Sequence, residues 1–208
     1  MTQSVSIDEL AMLLIEATGR ARQVVALAGP PAASKTTMAA RLENRIDAIA
    51  PGMAATLAMD GYHYDDRVLV PRGLRPRKGA PETFDVAGFS HMLGRIRADD
   101  ETEIAVPEFD RDLEIARAGA RIIPRTARII IAEGNYLLLG TDPWRRLAFD
   151  TTVMIVADRA LLRRRLVERW SHYRLSEAEV MAKVDGNDMP NVDLVLKESR
   201  PADYAINA

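Results

Sequence analysis

The chain has no cysteine. That excludes disulfides and cysteine-ligated zinc, and it fits either redox compartment. Aromatic residues are sparse, at 5% of 208 positions, and the formal net charge is only −2. So small an imbalance gives no whole-surface footprint for nucleic acid. No apolar run is long enough to span a bilayer. Acidic and apolar residues mix from position 6 to 17, which does not read as a signal peptide. A soluble cytoplasmic protein is the expectation. Of the three histidines, His63, His91 and His172, no two make an evident metal site. Apolar residues, by contrast, make up 48% of the chain, enough for one substantial core. No internal repeat or shift in composition marks a second domain.

The most informative segment is Ala28-Gly29-Pro30-Pro31-Ala32-Ala33-Ser34-Lys35-Thr36-Thr37, which follows the apolar run Val24-Val25-Ala26-Leu27. A strand, a tight loop and Lys-Thr at a helix start form the layout of a phosphate-binding loop. Successive backbone N–H groups cradle anionic oxygens, and the helix start adds unsatisfied donors and partial positive charge. Lys35 would reach the β- and γ-phosphates, and the Thr36 hydroxyl would face Mg²⁺. Pro30 and Pro31 donate no hydrogen bond. The cradle is therefore expected mainly from Ala32, Ala33, Ser34 and the residues after them, with Gly29 opening the loop. Ser34 stands where the usual pattern has glycine. It is expected to be tolerated only if its backbone avoids the conformations reserved for glycine; the alternative reading of the segment is an ordinary turn and helix start with Ser34 as N-cap.

Ser6 and Glu9 form a capping box ahead of a helix through Leu10, Leu13, Leu14 and Ala17. Residues 24–27, 54–59, 128–132 and 151–157 read as strands. Residues 192–196 read as the last strand of the sheet. Asp85 caps a helix whose buried side carries Phe89, Met92, Leu93 and Ile96. Short strands at 102–106 and 120–123, with a turn at Ala118-Gly119, suggest a small edge ribbon. Residues 65–81, carrying Arg67, Arg72, Arg75, Arg77 and Lys78 among prolines and glycines, read as a long irregular loop. Residues 185–188 read as a turn.

Ligands of open parallel sheets sit at the carboxyl ends of the strands. Two strands end there in carboxylates. Asp60 could orient a substrate hydroxyl and accept its proton, or organise Mg²⁺. Glu133 could hold a magnesium-bound water or position the acceptor hydroxyl. His63 could contact an acceptor or hold its loop, and Asp110 and Arg111 could face an acceptor or pair locally.

The segments Gly29 through Thr37, Met59-Asp60-Gly61-Tyr62-His63, Pro107 through Arg111, Glu133-Gly134-Asn135-Tyr136-Leu137-Leu138-Leu139 and Asn187-Asp188-Met189-Pro190-Asn191 together span nearly the whole chain. On them the chain resembles P-loop kinases of the phosphoribulokinase, uridine kinase and bacterial pantothenate kinase group. Within that group it is most similar to small proteins labelled fructose transport system kinases. The resemblance implies an α/β, three-layer P-loop nucleoside triphosphate hydrolase fold in one domain over residues 1–208. A mostly parallel sheet would carry helices on both faces and a small helical lid. It also implies ATP, Mg²⁺ and transfer of the γ-phosphoryl group to a hydroxyl of a small molecule. A sugar such as fructose leads, with a nucleoside, a pantothenate-like alcohol, or a regulatory or hydrolytic role in transport as alternatives. Asp60 would be the catalytic carboxylate, Tyr136 would lie near substrate, and Asn187 and Asn191 near adenine.

The basic stretch Arg163, Arg164, Arg165 and Arg169, followed by Arg174 and a capping box at Ser176 and Glu179, resembles the lid of such kinases over residues 159–185. Arg165 and Arg169, one helical turn apart, make the best pair to neutralise a transferring phosphoryl group. Oligomeric state is left open, a homodimer included.

Overall fold

The computed structural model describes residues 2–19, 21–173 and 175–208; Arg174 of the basic stretch lies outside them. Helix α1 (Ile7–Ala17) follows the two-residue strand β1 (Gln3–Ser4) and begins with the expected reciprocal cap. The Ser6 hydroxyl accepts from the Glu9 amide at 3.2 Å, and the Glu9 carboxylate accepts from the Ser6 amide at 2.7 Å. Strand β2 (Gln23–Ala28) leads through the phosphate loop into helix α2 (Lys35–Ile49), which returns to β3 (Ala54–Ala58).

A short helix α3 (Asp66–Leu69) and turns at Arg75–Arg77 and Pro81–Thr83 give residues 65–81 more local order than their composition suggests. Helix α4 (Val86–Ala98) then precedes the antiparallel ribbon β4 (Glu103–Asp110) and β5 (Ile115–Pro124). Strand β6 (Ile129–Gly134) and strand β7 (Thr151–Val156) return to the main sheet. Helices α5 (Arg159–Ser171), α6 (Glu177–Lys183) and α7 (Met189–Glu198) and strand β8 (Tyr204–Asn207) complete the described chain. Among the described residues, no helix is long and apolar enough to cross a membrane.

The main sheet has strand order β1-β8-β7-β2-β6-β3, and every pair is parallel. Strand β2 lies near its centre and is buried on both faces, which explains its unbroken apolar run. Val24, Ala26 and Ala28 pack into one core layer, with Phe84 and Phe89; Val25 and Leu27 pack into the other, with Leu10, Leu14 and Leu42. Each large apolar side chain so buried contributes about 1.5–3 kcal/mol relative to exposure. The chain leaves β2 toward β3 and β6 on one side and later crosses to β7 on the other. The order reverses at the phosphate loop, where open α/β sheets place their ligands.

Three expectations are corrected. Residues 192–196 are helical, inside α7: Met189, Val192 and Val195 are buried at helical spacing, while Leu196 is exposed. The last strand is instead β8, which pairs with β7 and β1. Ala118 and Gly119 make no hairpin turn but lie within β5, where Gly119 takes φ +64° in a register shift opposite Pro107. The ribbon turns instead at residues 111–114. Residues 184–188 form a π-helical turn joining α6 to α7 rather than a loop.

Candidate active site

Strand register brings the candidate residues to one edge of the sheet. Glu133 on β6 pairs with Leu27 on β2 and with Ala58 on β3. The phosphate loop begins just after Ala28, and Asp60 lies two residues past Ala58 in a 3-10 turn (Met59–Tyr62). Lys35, Thr36, Asp60 and Glu133 thus face one cavity of about 870 Å³, also walled by the basic loop, the ribbon's turn and helix α5.

Two glycines permit this convergence. A Cβ on Gly61 would lie 2.5 Å from the Pro107 carbonyl oxygen, and one on Gly134 would lie 2.5 Å from the Met59 Cβ. Neither position has room for a side chain. Gly61 lets the ribbon pack against the turn after β3, which carries Arg111 over Asp60.

Within the phosphate loop, Ala32 (φ 65°) and Ser34 (φ 61°, ψ 30°) both take left-handed backbone conformations. The condition that Ser34 avoid glycine's region is therefore not met. Its hydroxyl caps no helix amide; among the described residues its polar contact is a 3.4 Å approach from Arg165 Nη1, which also donates to the Ala32 carbonyl at 3.2 Å. Closing the cradle requires the strained turn, and the tight loop holds it without glycine. Gly29 lies behind the loop, where a Cβ would sit 3.1 Å from the Ile155 Cβ; Ala33 is fully buried. Ala32, Ser34, Lys35, Thr36 and Thr37 line the cavity.

The Lys35 ammonium is buried and donates to the Pro30 carbonyl at 3.0 Å. Burial lowers its pKa to about 8, against the opposing pull of Glu133 and Asp60. The Glu133 carboxyl, also buried, is pushed up by burial and then by the charge of Asp60. The Thr36 hydroxyl donates to Glu133 Oε1 at 2.9 Å. These two residues offer only hard oxygen donors at the lip of an anion cradle, a set that fits Mg²⁺. Among the described residues no cluster of three or more histidines or carboxylates stands ready for a metal.

Asp60 is ion-paired with Arg111 at 3.0 Å. The His63 ring lies between Phe84 and Phe109, at 4.0 and 4.6 Å between centroids, with Nδ1 2.8 Å from the Asp60 carbonyl. A carbonyl only accepts, so Nδ1 carries the proton. Burial lowers the His63 pKa and favours the neutral ring, which leaves Nε2 as a hydrogen-bond acceptor.

The remaining candidates divide. Arg165 and Arg169 both face the cavity from α5, and Arg169 has no ion-pair or hydrogen-bond partner among the described residues. Asn187 and Asn191 also border it, but Asn187 already accepts from Arg77 at 2.9 Å and donates to the Lys78 carbonyl at 3.0 Å. It ties the π-helical turn to the basic loop. Asp110 and Tyr136 lie elsewhere. Asp110 accepts from Arg117 and from the amides of Asp112 and Leu113, holding the ribbon's turn. Tyr136 is fully buried against Phe84 and Trp144 and donates to the Gly79 carbonyl at 2.6 Å, supporting the basic loop from beneath.

Sequence reasoning missed Asn135, whose buried Oδ1 has no partner among the described residues, although it sits two positions past Glu133. It also missed Trp170, whose ring lies under Lys183 Nζ at 4.4 Å and whose Nε1 donates to Asp188 at 2.5 Å. Glu114 borders the cavity as well, and no local pattern marks it.

No family model matches the chain. A crystal structure of a protein from Silicibacter sp. TM1040, named as a candidate fructose transport system kinase, matches with a TM-score of 0.90. The match covers 97% of this chain and 99% of that one at 36% identity. The uncharacterised protein YggC of Escherichia coli K12 is 36% identical over 189 residues, covering 89% of this chain and 77% of that protein. A protein of Schizosaccharomyces pombe, named as a candidate uridine kinase, is 28% identical over 211 residues, covering 97% of this chain and 90% of its own length.

Proposed function

Because this chain belongs to the P-loop kinases of the uridine kinase, pantothenate kinase and phosphoribulokinase group, ATP-dependent phosphotransferases with a hydroxyl acceptor, we propose that it phosphorylates a small metabolite at the cavity above β2, β3 and β6. A sugar such as fructose is the leading acceptor, ahead of a nucleoside or a pantothenate-like alcohol. The carrying observation is the convergence of Lys35, Thr36, Asp60 and Glu133 on one cavity.

In this reading the amides of residues 32–37 and the Lys35 ammonium hold the triphosphate. Thr36 and Glu133 are the residues that would hold Mg²⁺, which neutralises phosphate charge when bound. The acceptor hydroxyl attacks the γ-phosphorus, its proton passes to the Asp60 carboxylate, and the bond to the β-phosphate oxygen breaks to release ADP. Arg165 and Arg169 face the transferring group from α5. Helices α5 and α6 act as a lid that closes over it and excludes water. The unpartnered Arg169 supports that role, since a cation held open to the cavity has an electrostatic gap for an anion to fill.

The test is ADP release measured with and without sugars, nucleosides and pantothenate, with mass detection of the product. A defined phosphomonoester formed only with one acceptor is expected. ATP binding with no acceptor-dependent product across that panel would count for a regulatory protein instead.

A further inference from the structure

The cavity's cations are divided by their partners. Lys35, Arg165 and Arg169, around the phosphate loop and α5, face no carboxylate in a direct ion pair among the described residues. The cavity-lining cations of the basic loop and of the ribbon's turn, Arg75, Arg77, Lys78 and Arg111, are each already paired with a carboxylate. Arg75 donates to Asp66 and to Glu114, both at 2.6 Å. Lys78, whose side chain is only 8% exposed, donates to Asp66 at 2.7 Å and to the Glu114 carbonyl at 2.5 Å. Arg77 pairs with Glu82 at 3.5 Å, and Arg111 with Asp60 at 3.0 Å.

Glu114 therefore meets Arg75 and Lys78 with both its carboxylate and its carbonyl. It does so from the ribbon's turn in a left-handed conformation, φ 54°, which a non-glycine residue adopts only at a cost. On the cavity wall beside them, His63 keeps Nε2 as an acceptor, because its Nδ1 donates to the Asp60 carbonyl. Such an atom suits a hydroxyl O–H donor and repels an anionic oxygen.

We propose that Asp66 and Glu114 occupy the anion-receptor positions made by Arg75 and Lys78, so that the site selects an uncharged polyhydroxylated acceptor against phosphorylated or carboxylated ones. The selection rests on the kinase reading above but concerns only which acceptor enters. The cavity-facing cations of the basic loop thus act as scaffold, paired within the chain, and the Glu114 carboxylate at the cavity wall opposes an anion.

The experiment compares matched acceptors with the full chain, ATP and Mg²⁺: fructose with fructose 6-phosphate, and glycerol with glycerate. Uncharged members are expected to exceed their anionic partners in kcat/KM by about 100-fold. In Glu114→Gln that ratio is expected to fall by at least about tenfold, chiefly through a lower KM for the anionic member, since like charges in juxtaposition oppose binding. Asp66→Asn provides a second variant that leaves the strained turn unchanged.

A binding arm does not depend on turnover. With the phosphate loop saturated by a non-hydrolysable ATP analogue, calorimetry with inorganic phosphate is expected to show no saturable binding to the native chain and measurable binding to either variant. A native enzyme that prefers the anionic members overturns the proposal while leaving the kinase intact. So does saturable phosphate binding to the analogue-loaded native chain, or a ratio unmoved in both variants. If no acceptor is turned over, the kinase reading bears that failure and the phosphate titration still decides this one.

Discussion

Replacing Ser34 by glycine isolates the strain in the phosphate loop. Ser34 sits at φ 61°, ψ 30°, where an L-residue pays about 1–2 kcal/mol relative to right-handed backbone. Glycine removes that penalty but raises the entropy of the unfolded chain, which costs about 0.4–1 kcal/mol. The lost hydroxyl contact is a 3.4 Å approach from Arg165, too long to weigh heavily. The balance favours the variant by roughly 0.5–1 kcal/mol, which for a chain of this length raises Tm by about 1–4 °C. Calorimetric melting of the free protein reads this directly. In the proposed function the same loop shape holds the triphosphate, so ATP affinity should be equal or tighter. A lower Tm, or a clear loss of ATP affinity, would refute the reasoning and assign the Arg165–Ser34 contact a role its geometry does not suggest.

Other expected outcomes follow from neighbouring residues. Lys35→Met should abolish ATP binding yet stabilise the free protein at pH 7, on the order of 2 kcal/mol, by removing a buried ammonium. Burial sets the Lys35 pKa at about 8 against 10.5 for a solvent-exposed lysine, so the unfolded chain binds the extra proton between those values. The native protein's handicap is complete below pH 8 and shrinks as pH rises to 10.5, and the gap between the two melting curves should narrow across that window. Asp60→Asn should lower kcat by about 10²–10⁴ while ATP affinity changes little; unchanged acceptor phosphorylation would remove Asp60 from the chemistry. Arg22→Met, at the opposite end of the sheet, strips hydrogen bonds from the carbonyls of Ala127, Ile96 and Pro124 and leaves Asp99 with Arg128 as its arginine partner. Leaving those buried carbonyls unsatisfied should cost about 3–5 kcal/mol, a drop in Tm on the order of 10 °C, with ATP affinity retained.

The sequence made the central strands and the phosphate loop legible because their signals are local. Apolar runs of β2 and β6 end at Gly29 and Glu133, and nothing distant is needed to read them. Helix α7 was misread because Val192, Leu194 and Leu196 alternate as a strand would, while burial follows Met189, Val192 and Val195. Strand β8 is four residues long, and its place is fixed by pairing with β7 rather than by its own pattern. In the cavity, Asp60 and Glu133 were legible as carboxylates at strand ends. Tyr136 was not: only the packed structure shows that its hydroxyl supports Gly79 from below. The ties of Glu114 to Arg75 and of Asn187 to Arg77 join positions 39 and 110 residues apart, beyond any local periodicity.

The chain has two tryptophans. Trp144 is 2% exposed among apolar neighbours, whereas Trp170 borders the cavity between a lysine ammonium and an aspartate. The protein therefore carries its own optical reporter. Trp144 supplies a steady emission, and any movement of Lys183 or Asp188 as helices α5 and α6 rearrange changes the field around the Trp170 indole. With the lid closure proposed above, nucleotide arrival is expected to change the intrinsic fluorescence in real time, with no label, and a Trp144→Phe variant would isolate the signal from the cavity.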